Sequence, residues 1–434
     1  MSGGARVLRP DRSQLSWDLV DLEALLPADH RARIVWRFVE GMDLEPFYAA
    51  IASREGEAGR PAADPAVLMA LWLYATLEGV GSARELDRLV ERDLSYRWLA
   101  GGVPVNYHGL SDFRVGWAEV LDGLLTQGVT ALVSAKVVSL EEIAVDGTKV
   151  RAAASARSFT RGGRLERIET AARARIEALR AEVEADPGAV SRRRQAARER
   201  AAREVEDKTA KAREALERLR QEKAAREKTH RKNEKNKADR SVSLTDLDAR
   251  PMSFADGAKR AGYNIQVAGL PLSGLVVGVA ATDRRNDFGL APPMAEQIAH
   301  RYDRVPESLL LDEGYLGKKD VEALAGHRLG PIAVYMPPRE EKPEAELSQR
   351  ARGQRQRARA KESPAVQAWR ARMQTDEGQA VYARRKLIER INAHFKNRGF
   401  ERITVRGLAK AHAVALWHAL ANNLMVAHRL LAAA

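Results

Sequence analysis

The sequence has no cysteine, and this absence excludes disulfide bonds and thiolate metal sites. A metal ion bound to this chain would therefore need oxygen or imidazole ligands. Long apolar runs are also missing, because polar residues interrupt the most apolar late stretch, 413–434, at His418, Asn422, Asn423 and His428. The opening MSGGARVLRPDRSQ lacks the apolar core of a signal peptide. We therefore expect no membrane segment and a cytoplasmic location.

Acidic residues are fewer than basic ones. The chain carries 72 Lys and Arg against 59 Asp and Glu, a formal net charge of +13. This balance favours polyanionic partners, which a positive field steers toward the surface. Nucleic acid is the leading partner class. With 434 residues, 45% of them hydrophobic, the chain can also bury a large core, enough for about two or three domains.

Apolar residues recur at helical spacing from about residue 17 to 135. The period is clear in AVLMALWLYATLEGV (66–80) and ARELDRLVERDLSYRWLAGG (83–102). Ser111 precedes a further apolar stretch and is its expected N-cap. These patterns predict an all-α region, whose mild basicity suits DNA binding although most helical bundles are simply packed cores.

Aromatic residues nearly vanish between about 165 and 240, where Ala, Arg, Glu and Lys dominate. This composition is typical of long helices. Apolar residues repeat there in steps of three and four, at Leu165, Ile168, Ala172, Ile176, Leu179 and Val183. DPG (186–188) supplies a turn before a second helix with similar steps. The region predicts an inserted antiparallel helical hairpin, either a solvated spacer or a DNA clamp.

Strand patterns surround this insert. They are KVVSLEEIAVDGTKV (136–150), YNIQVAG (263–269), GLVVGVAAT (274–282), SLLLDEGY (308–315) and PIAVYMP (331–337). Helical patterns follow at 290–302, 318–327, about 379–397 and about 409–431. The order predicts an α/β core interrupted by the helical hairpin.

Two of these strands end in an acidic residue, Asp146 in IAVDGTKV and Asp312 in LLLDEGY. The ends of neighbouring strands bring distant side chains together, and facing carboxylates repel unless a cation lies between them. Oxygen ligands suit Mg²⁺ or Mn²⁺, and two such ions about 3.5–4 Å apart can activate a hydroxyl for phosphodiester chemistry. Taken singly, each Asp fits an ordinary turn or strand exit equally well.

A third acid, Glu389, stands alone in the basic stretch RRKLIERINAHFKNR (384–398). The simplest interpretation is an ion pair with a neighbouring arginine, worth a few tenths of a kcal/mol. Further acids in the strand region could replace a member of the set if the register is misread: Asp256, Asp283 and Asp287.

Taken together, these segments resemble the DDE transposases of bacterial insertion sequences. Tyr382, Arg385, Glu389 and Lys396 match the Tyr-x2-Arg-x3-Glu-x6-Lys signature of one branch, in order after AVDGTKVRAAAS and LLLDEGY. The stretch YATLEGVGSARELDRLVERDLSYRWLAGG with GLSDFR is similar to the N-terminal helical domain of this group. The resemblance extends over most of the chain.

The resemblance implies an RNase H-like catalytic core with a mixed sheet. The implied domains are an N-terminal helical domain binding transposon ends (1–135), the catalytic core (136–160 and 241–434) and the inserted hairpin (161–240). The catalytic residues, which would also bind two Mg²⁺ or Mn²⁺ ions, are Asp146, Asp312 and Glu389. Transposon-end DNA would be bound by Tyr382, Arg385 and Lys396.

The activity implied by the resemblance is hydrolysis at the ends of the element, followed by attack of each freed 3'-hydroxyl on target DNA. The partners are then double-stranded terminal inverted repeats and target DNA, with a homodimer in the DNA complex. Two alternatives stay open: an RNase H-like nuclease that cuts without joining, and a transposase-derived DNA-binding protein without catalysis. A structural coiled-coil protein would leave the strands unexplained.

Overall fold

Helices make up the N-terminal part of the computed structural model, which describes residues 21–53, 61–185, 192–229, 240–315, 317–338 and 346–433. They are α1 (Arg31–Glu40), α2 (Glu45–Ala49), α3 (Pro65–Leu77), α4 (Ala83–Arg92), α5 (Leu94–Ala100), α6 (Tyr107–Gly116) and α7 (Ala118–Ser134). The carboxylate of Asp64 caps α3 by accepting the Ala66 amide at 2.8 Å, and Pro65 occupies the first helical position, where no N–H is needed. The expected helical N-terminal region is confirmed.

Ser111 is not an N-cap, so that prediction was wrong. It lies inside α6, which is capped by Asn106, whose Oδ1 accepts the Gly109 amide at 2.9 Å. Asn106 has the extended backbone of a cap, with φ −141° and ψ 157°. The next helix, α7, begins at Ala118 without a side-chain cap.

The strands confirm the mixed sheet of an RNase H-like core. They are β1 (Glu142–Arg151), β2 (Phe159–Thr160), β3 (Val242–Ser243), β4 (Arg250–Ser253), β5 (Lys259–Gly269), β6 (Val276–Thr282), β7 (Ser308–Leu310) and β8 (Ala333–Tyr335). In the six-stranded sheet β6, β5, β1, β7 and β8 are successive neighbours, and β4 also pairs with β5. β5 runs antiparallel to β1 and β6, whereas β7 runs parallel to β1 and β8. The first strand begins later than predicted, at Glu142, after α7 ends at Ser134 and the chain passes through Lys136 with a φ of 58°.

The insert is the expected helical hairpin, α8 (Gly162–Ala185) and α9 (Arg192–Thr229). Leu165 packs with Ala212 and Leu216, and Ile176 and Leu179 pack with Ala202. The two-stranded pair of β2 and β3 closes the base of the hairpin. The predicted DPG turn (186–188) lies outside the described residues.

The remaining helices follow β6. They are α10 (Ala291–Tyr302), α11 (Lys318–Ala325), α12 (Gln349–Ala360), α13 (Pro364–Arg372), α14 (Asp376–Ala383), α15 (Ile388–Asn397) and α16 (Leu408–Ala433). The helix expected at 379–397 is broken by a 3₁₀ turn, Arg384–Leu387. In that turn Arg384 pairs with Glu142 and Arg385 with Asp146, so two acids of β1 hold the tighter turn against the sheet. No helix within the described ranges is long and apolar enough to cross a membrane.

One hydrophobic cluster joins the N-terminal helices to the sheet and to α16. The rings of Trp72 in α3 and Trp417 in α16 lie 6.4 Å apart, and the cluster includes Ile265 of β5 and Ile388 of α15. Asn423 of α16 also binds the edge of β6, since its side chain accepts the Val276 amide and donates to the Val276 carbonyl, both at 2.7 Å. The N-terminal helices and the sheet therefore share a core.

Candidate active site

Asp146 lies within β1, where buried residues give way to half-buried ones. Asn392 of α15 donates its Nδ2 hydrogen bond to Oδ2 of Asp146 at 2.7 Å. The Nη1 atom of Arg385 lies 3.8 Å from Oδ1 of the same carboxylate. Both oxygens therefore face the segment that carries the predicted signature.

The carboxyl group of Asp146 has a pKa above its usual value. Burial is the largest cause, because it disfavours the charged form, and the charges of Asp287 and Asp312 raise the pKa further. Arg385 and the hydrogen bond from Asn392 lower this pKa but do not outweigh the other effects. Burial and the neighbouring acids thus disfavour the charged form of Asp146, and a bound cation would favour it.

Asp312 approaches Asp146 because of the parallel register of β1 and β7. Ala144 of β1 pairs with Leu310 of β7. Asp146 follows Ala144 by two residues, and Asp312 follows Leu310 by two residues. The Asp312 side chain is exposed, and its Oδ1 accepts the Glu313 amide at 2.9 Å. The structure therefore brings Asp146 and Asp312 level with each other across the neighbouring strands β1 and β7, close enough for their charges to interact.

Glu389 lies in the first turn of α15, and its side chain is 59% exposed. The Nη2 atom of Arg385 donates to its Oε1 at 3.1 Å. Arg385 therefore bridges the carboxylates of Asp146 and Glu389. In the part of the chain that the structure describes, no three His, Asp or Glu side chains lie close enough to hold one metal ion. The ion pair expected from simple helix spacing is present.

Of the other signature residues, Tyr382 lies near Arg385 and Lys396 does not. Tyr382 lies close enough to Arg385 to raise the pKa of its guanidinium. Burial lowers the pKa of Arg385, but Tyr382, Asp146 and Asp312 together raise it above its usual value. Lys396 is exposed in the last turn of α15, away from this contact network. The guanidinium thus stays charged between the carboxylates of Asp146 and Glu389.

Asp287, which the sequence offered as a substitute acid, lies beside the site on the opposite face of β1. Its Oδ1 accepts hydrogen bonds from Asn264 and Gln266 of β5, both at 2.7 Å. Gln266 in turn accepts the hydroxyl of Tyr315 at 2.6 Å. Burial, followed by the charges of Asp287, Asp146 and Asp312, raises the pKa of Tyr315 well above its usual value.

Sequence reasoning missed this network, although a signal was present. Asn264 and Gln266 alternate along YNIQVAG, so two amides occupy one face of a strand that is otherwise apolar and buried. Buried amides need partners, and such a pair predicts a polar group above the sheet. Asn392 gave a similar signal, because it follows Glu389 by three residues on the same helix face.

The donor set at this edge fits a divalent cation. Asp146, Asp312 and Glu389 offer carboxylate oxygens, which Mg²⁺ and Mn²⁺ prefer. The raised pKa of Asp146 has the cause expected at a cation site, namely a buried carboxylate with other acids nearby.

The strand order, with Asp146 within β1 and Asp312 two residues after β7, defines the class, an RNase H-like protein. The family profile described as Transposase DDE domain matches residues 139–424, and the profile described as Transposase domain (DUF772) matches residues 20–115. The chain belongs to the DDE transposase family, and its function is that of a transposase. No curated protein and no solved structure matches the chain.

Proposed function

We propose that the chain cuts double-stranded DNA at the ends of its insertion sequence and joins the freed 3'-hydroxyl ends to target DNA. The alignment of Asp146, within β1, with Asp312, just past the end of the parallel strand β7, carries this proposal. Asp146, Asp312 and Glu389 would hold two Mg²⁺ or Mn²⁺ ions, which supply the Lewis acidity for phosphodiester transfer.

Arg385 has two roles in this proposal. Without DNA it pairs with both Asp146 and Glu389. Its pair with the exposed Glu389 is an i, i+4 helix pair, worth a few tenths of a kcal/mol, so a competing phosphate can take its place. A guanidinium binds phosphate oxygens in a two-pronged geometry. Arg385 would then contact transposon-end DNA together with Tyr382 and Lys396, and Glu389 would be released toward the aspartates.

The proposal assigns each segment a task. Residues 1–135 would recognise transposon ends, residues 136–160 with 241–434 would form the catalytic core, and the hairpin at 161–240 would be an accessory to that core. Two chains would act on two ends as a homodimer, in the bacterial cytoplasm at the nucleoid. The net charge of +13 is consistent with a DNA partner.

The test is Mg²⁺-dependent cleavage of duplexes that carry the element's own terminal repeats. We expect Asp312→Asn to bind this DNA but to lose cleavage by at least about 1000-fold, because a metal ligand is lost. Asp303→Asn is the matched control: Asp303 is exposed and has a φ of 49°, which Asn tolerates. This control should cleave normally.

The outcomes separate the alternatives. Cleavage without any joined product would favour the nuclease. DNA binding without cleavage, unchanged by Asp312→Asn, would favour the non-catalytic DNA-binding protein. Cleavage that survives in Asp312→Asn would remove the assignment of this aspartate.

A further inference from the structure

A cavity of about 190 Å³ lies between the inserted hairpin and the catalytic core. Its walls come from the C-terminal half of α9, from residues 240–241 before β3, from Arg250 of β4, and from residues 283–286 after β6. The volume equals that of about six waters at ~30 Å³ each. A phosphate group with part of its hydration shell fits this space.

The cavity is strongly cationic. Its basic side chains are Lys223, Arg240, Arg250, Arg284 and Arg285. The acids among its lining residues are Glu222 and Asp283, and Asp283 is already paired with Arg250 at 2.7 Å. Positive charge therefore exceeds negative charge in a confined space.

Arg250 is held in place before any ligand arrives. Its Nη1 donates to the carbonyl oxygens of Leu247 at 2.7 Å and Ala249 at 3.1 Å, while Nη2 pairs with Asp283. A fixed guanidinium loses little side-chain entropy on binding an anion. This wall of the cavity is thus preorganised.

Arg240 supplies an unsatisfied donor. Its Nε is buried and, among the described residues, has no hydrogen-bond partner. A buried donor without a partner costs about 1–3 kcal/mol, which an anionic oxygen in the cavity would recover. Partial burial, followed by the charges of Arg240 and Arg250, lowers the pKa of Arg285. Among the described residues, Arg240 and Arg285 therefore place positive charge close together in this wall of the cavity.

We propose that this cavity binds a phosphate group of the DNA backbone. The proposal rests on the function proposed above. Arginine guanidinium groups match the geometry of phosphate oxygens, and the cavity presents several of them. The segment that forms its wall continues from Asn286 directly to Asp287, which acts electrostatically on Asp146.

The test compares Arg285→Ala with Arg304→Ala. Arg285 lines the cavity, whereas Arg304 is exposed beyond α10, so both variants remove the same charge from the surface. The probe is a duplex of about 40 base pairs of arbitrary sequence, titrated over a series of salt concentrations. Each phosphate contact contributes about 0.9 to the slope of log K against log salt. We expect Arg285→Ala to reduce the magnitude of the slope by about one and to weaken the affinity for the duplex several-fold. The slope and affinity of Arg304→Ala should stay close to those of the wild type.

Two further measurements complete the test. Arg285→Lys keeps the charge and should retain most of the slope, which separates loss of charge from damage to the fold. Calorimetric titration with inorganic phosphate should give binding to the wild type that is weakened in Arg285→Ala.

Equal slopes for Arg285→Ala and Arg304→Ala, in a protein that binds DNA, would overturn the cavity proposal and leave the proposed function standing. Phosphate binding that depends on Arg285 without any change in the DNA slope would assign the cavity to free phosphate and also overturn it. Failure of the wild type to bind any duplex would defeat the proposed function itself.

Discussion

Gly147 allows Asp287 to reach the strand that carries Asp146. A Cβ atom at position 147 would lie 2.1 Å from Oδ1 of Asp287 and 2.7 Å from Nε2 of Gln266. Neither group can withdraw easily, because the same Asp287 oxygen accepts hydrogen bonds from Asn264 and Gln266. The smallest side chain would therefore break the network on this face of the sheet.

We predict that Gly147→Ala destabilises the protein by about 2 kcal/mol or more, through lost buried hydrogen bonds, and reduces DNA cleavage at least tenfold. Urea unfolding and cleavage assays measure the two effects. Gly123→Ala in α7 is the control, since a Cβ there meets nothing within 4 Å and alanine favours a helix. Equal behaviour of the two variants would contradict the packing argument.

His418, buried in α16, should make the stability of the protein depend on pH. Its ring lies 4.4 Å from that of Phe400, and its Nδ1 has no partner among the described residues. Burial, followed by the charges of Arg114 and Arg398, lowers the pKa of His418 well below its usual value. The imidazole is therefore neutral in the folded protein.

The unfolded chain takes up a proton at His418 below about pH 6.5, whereas the folded chain does not. Stability should fall by about 1.4 kcal/mol per pH unit as the pH drops below 6.5, until the lowered folded-state pKa is reached. We predict that His418→Gln weakens this dependence, to which the lowered pKa values of His412 and His394 also contribute, as measured by urea unfolding between pH 7 and 5. The exposed His108→Gln should keep it. An unchanged slope in His418→Gln would show that other groups dominate.

At the scale of elements, the two ends of the hairpin of α8 and α9 join the rest of the chain side by side, at the paired strands β2 and β3. Thr160 pairs with Val242 and Phe159 with Ser243, so the chain enters and leaves the insert at adjacent points. A two-residue turn can join antiparallel strands of this kind. The hairpin can therefore be removed without stretching the core.

We predict that replacing residues 161–241 with Asn-Gly leaves a cooperatively folding core but weakens DNA binding, because the α9 wall of the cationic cavity is lost. Thermal unfolding and salt-dependent DNA titration measure both effects. A hairpin shortened between Leu179 and Ala202, which pack together, keeps that wall and should bind DNA normally. If the excised protein fails to fold, the hairpin is part of the core.

Periodicity and composition predicted most elements, because they depend on local burial patterns. The apolar spacing of α3 and α10 and the runs ending in Asp146 and Asp312 are visible in the sequence alone. The sequence patterns did not predict the short strands β2, β3 and β4, since these strands depend on pairing with partners elsewhere in the chain. The same reason explains the broken helix at Arg384–Leu387, which β1 imposes through its acids.

The candidate site was predictable to a smaller extent. The strand patterns placed Asp146 and Asp312 together, although β1 continues past Asp146 to Arg151. Helix spacing predicted an ion pair of Glu389 with Arg385 or Arg390, and the structure has the pair with Arg385. The contact of that same arginine with Asp146 is set by the packing of α15 on the sheet, which no local pattern reports. The metal-binding role of the three acids stays a prediction.

For the whole molecule, we predict that assembly requires DNA ends. The protein with duplexes carrying its terminal repeats should give a complex of two chains and two duplexes, as measured by analytical ultracentrifugation. The same protein with duplexes of arbitrary sequence should not form this complex, because non-specific binding relies on phosphate charge alone. One chain per terminal-repeat duplex at every concentration would contradict the homodimer.

The cluster that joins α3, α16 and the sheet has a consequence for how such proteins diverge. Trp72 donates its ring N–H to the Leu110 carbonyl, and Trp417 donates to that of Arg114, so large side chains interlock across this core. Exchange of the N-terminal helices with those of a relative would leave cavities or clashes there. DNA recognition should therefore change through exposed substitutions on the N-terminal helices, while these helices and the sheet are inherited together. A hybrid that takes its N-terminal helices from a relative should need compensating substitutions in α16.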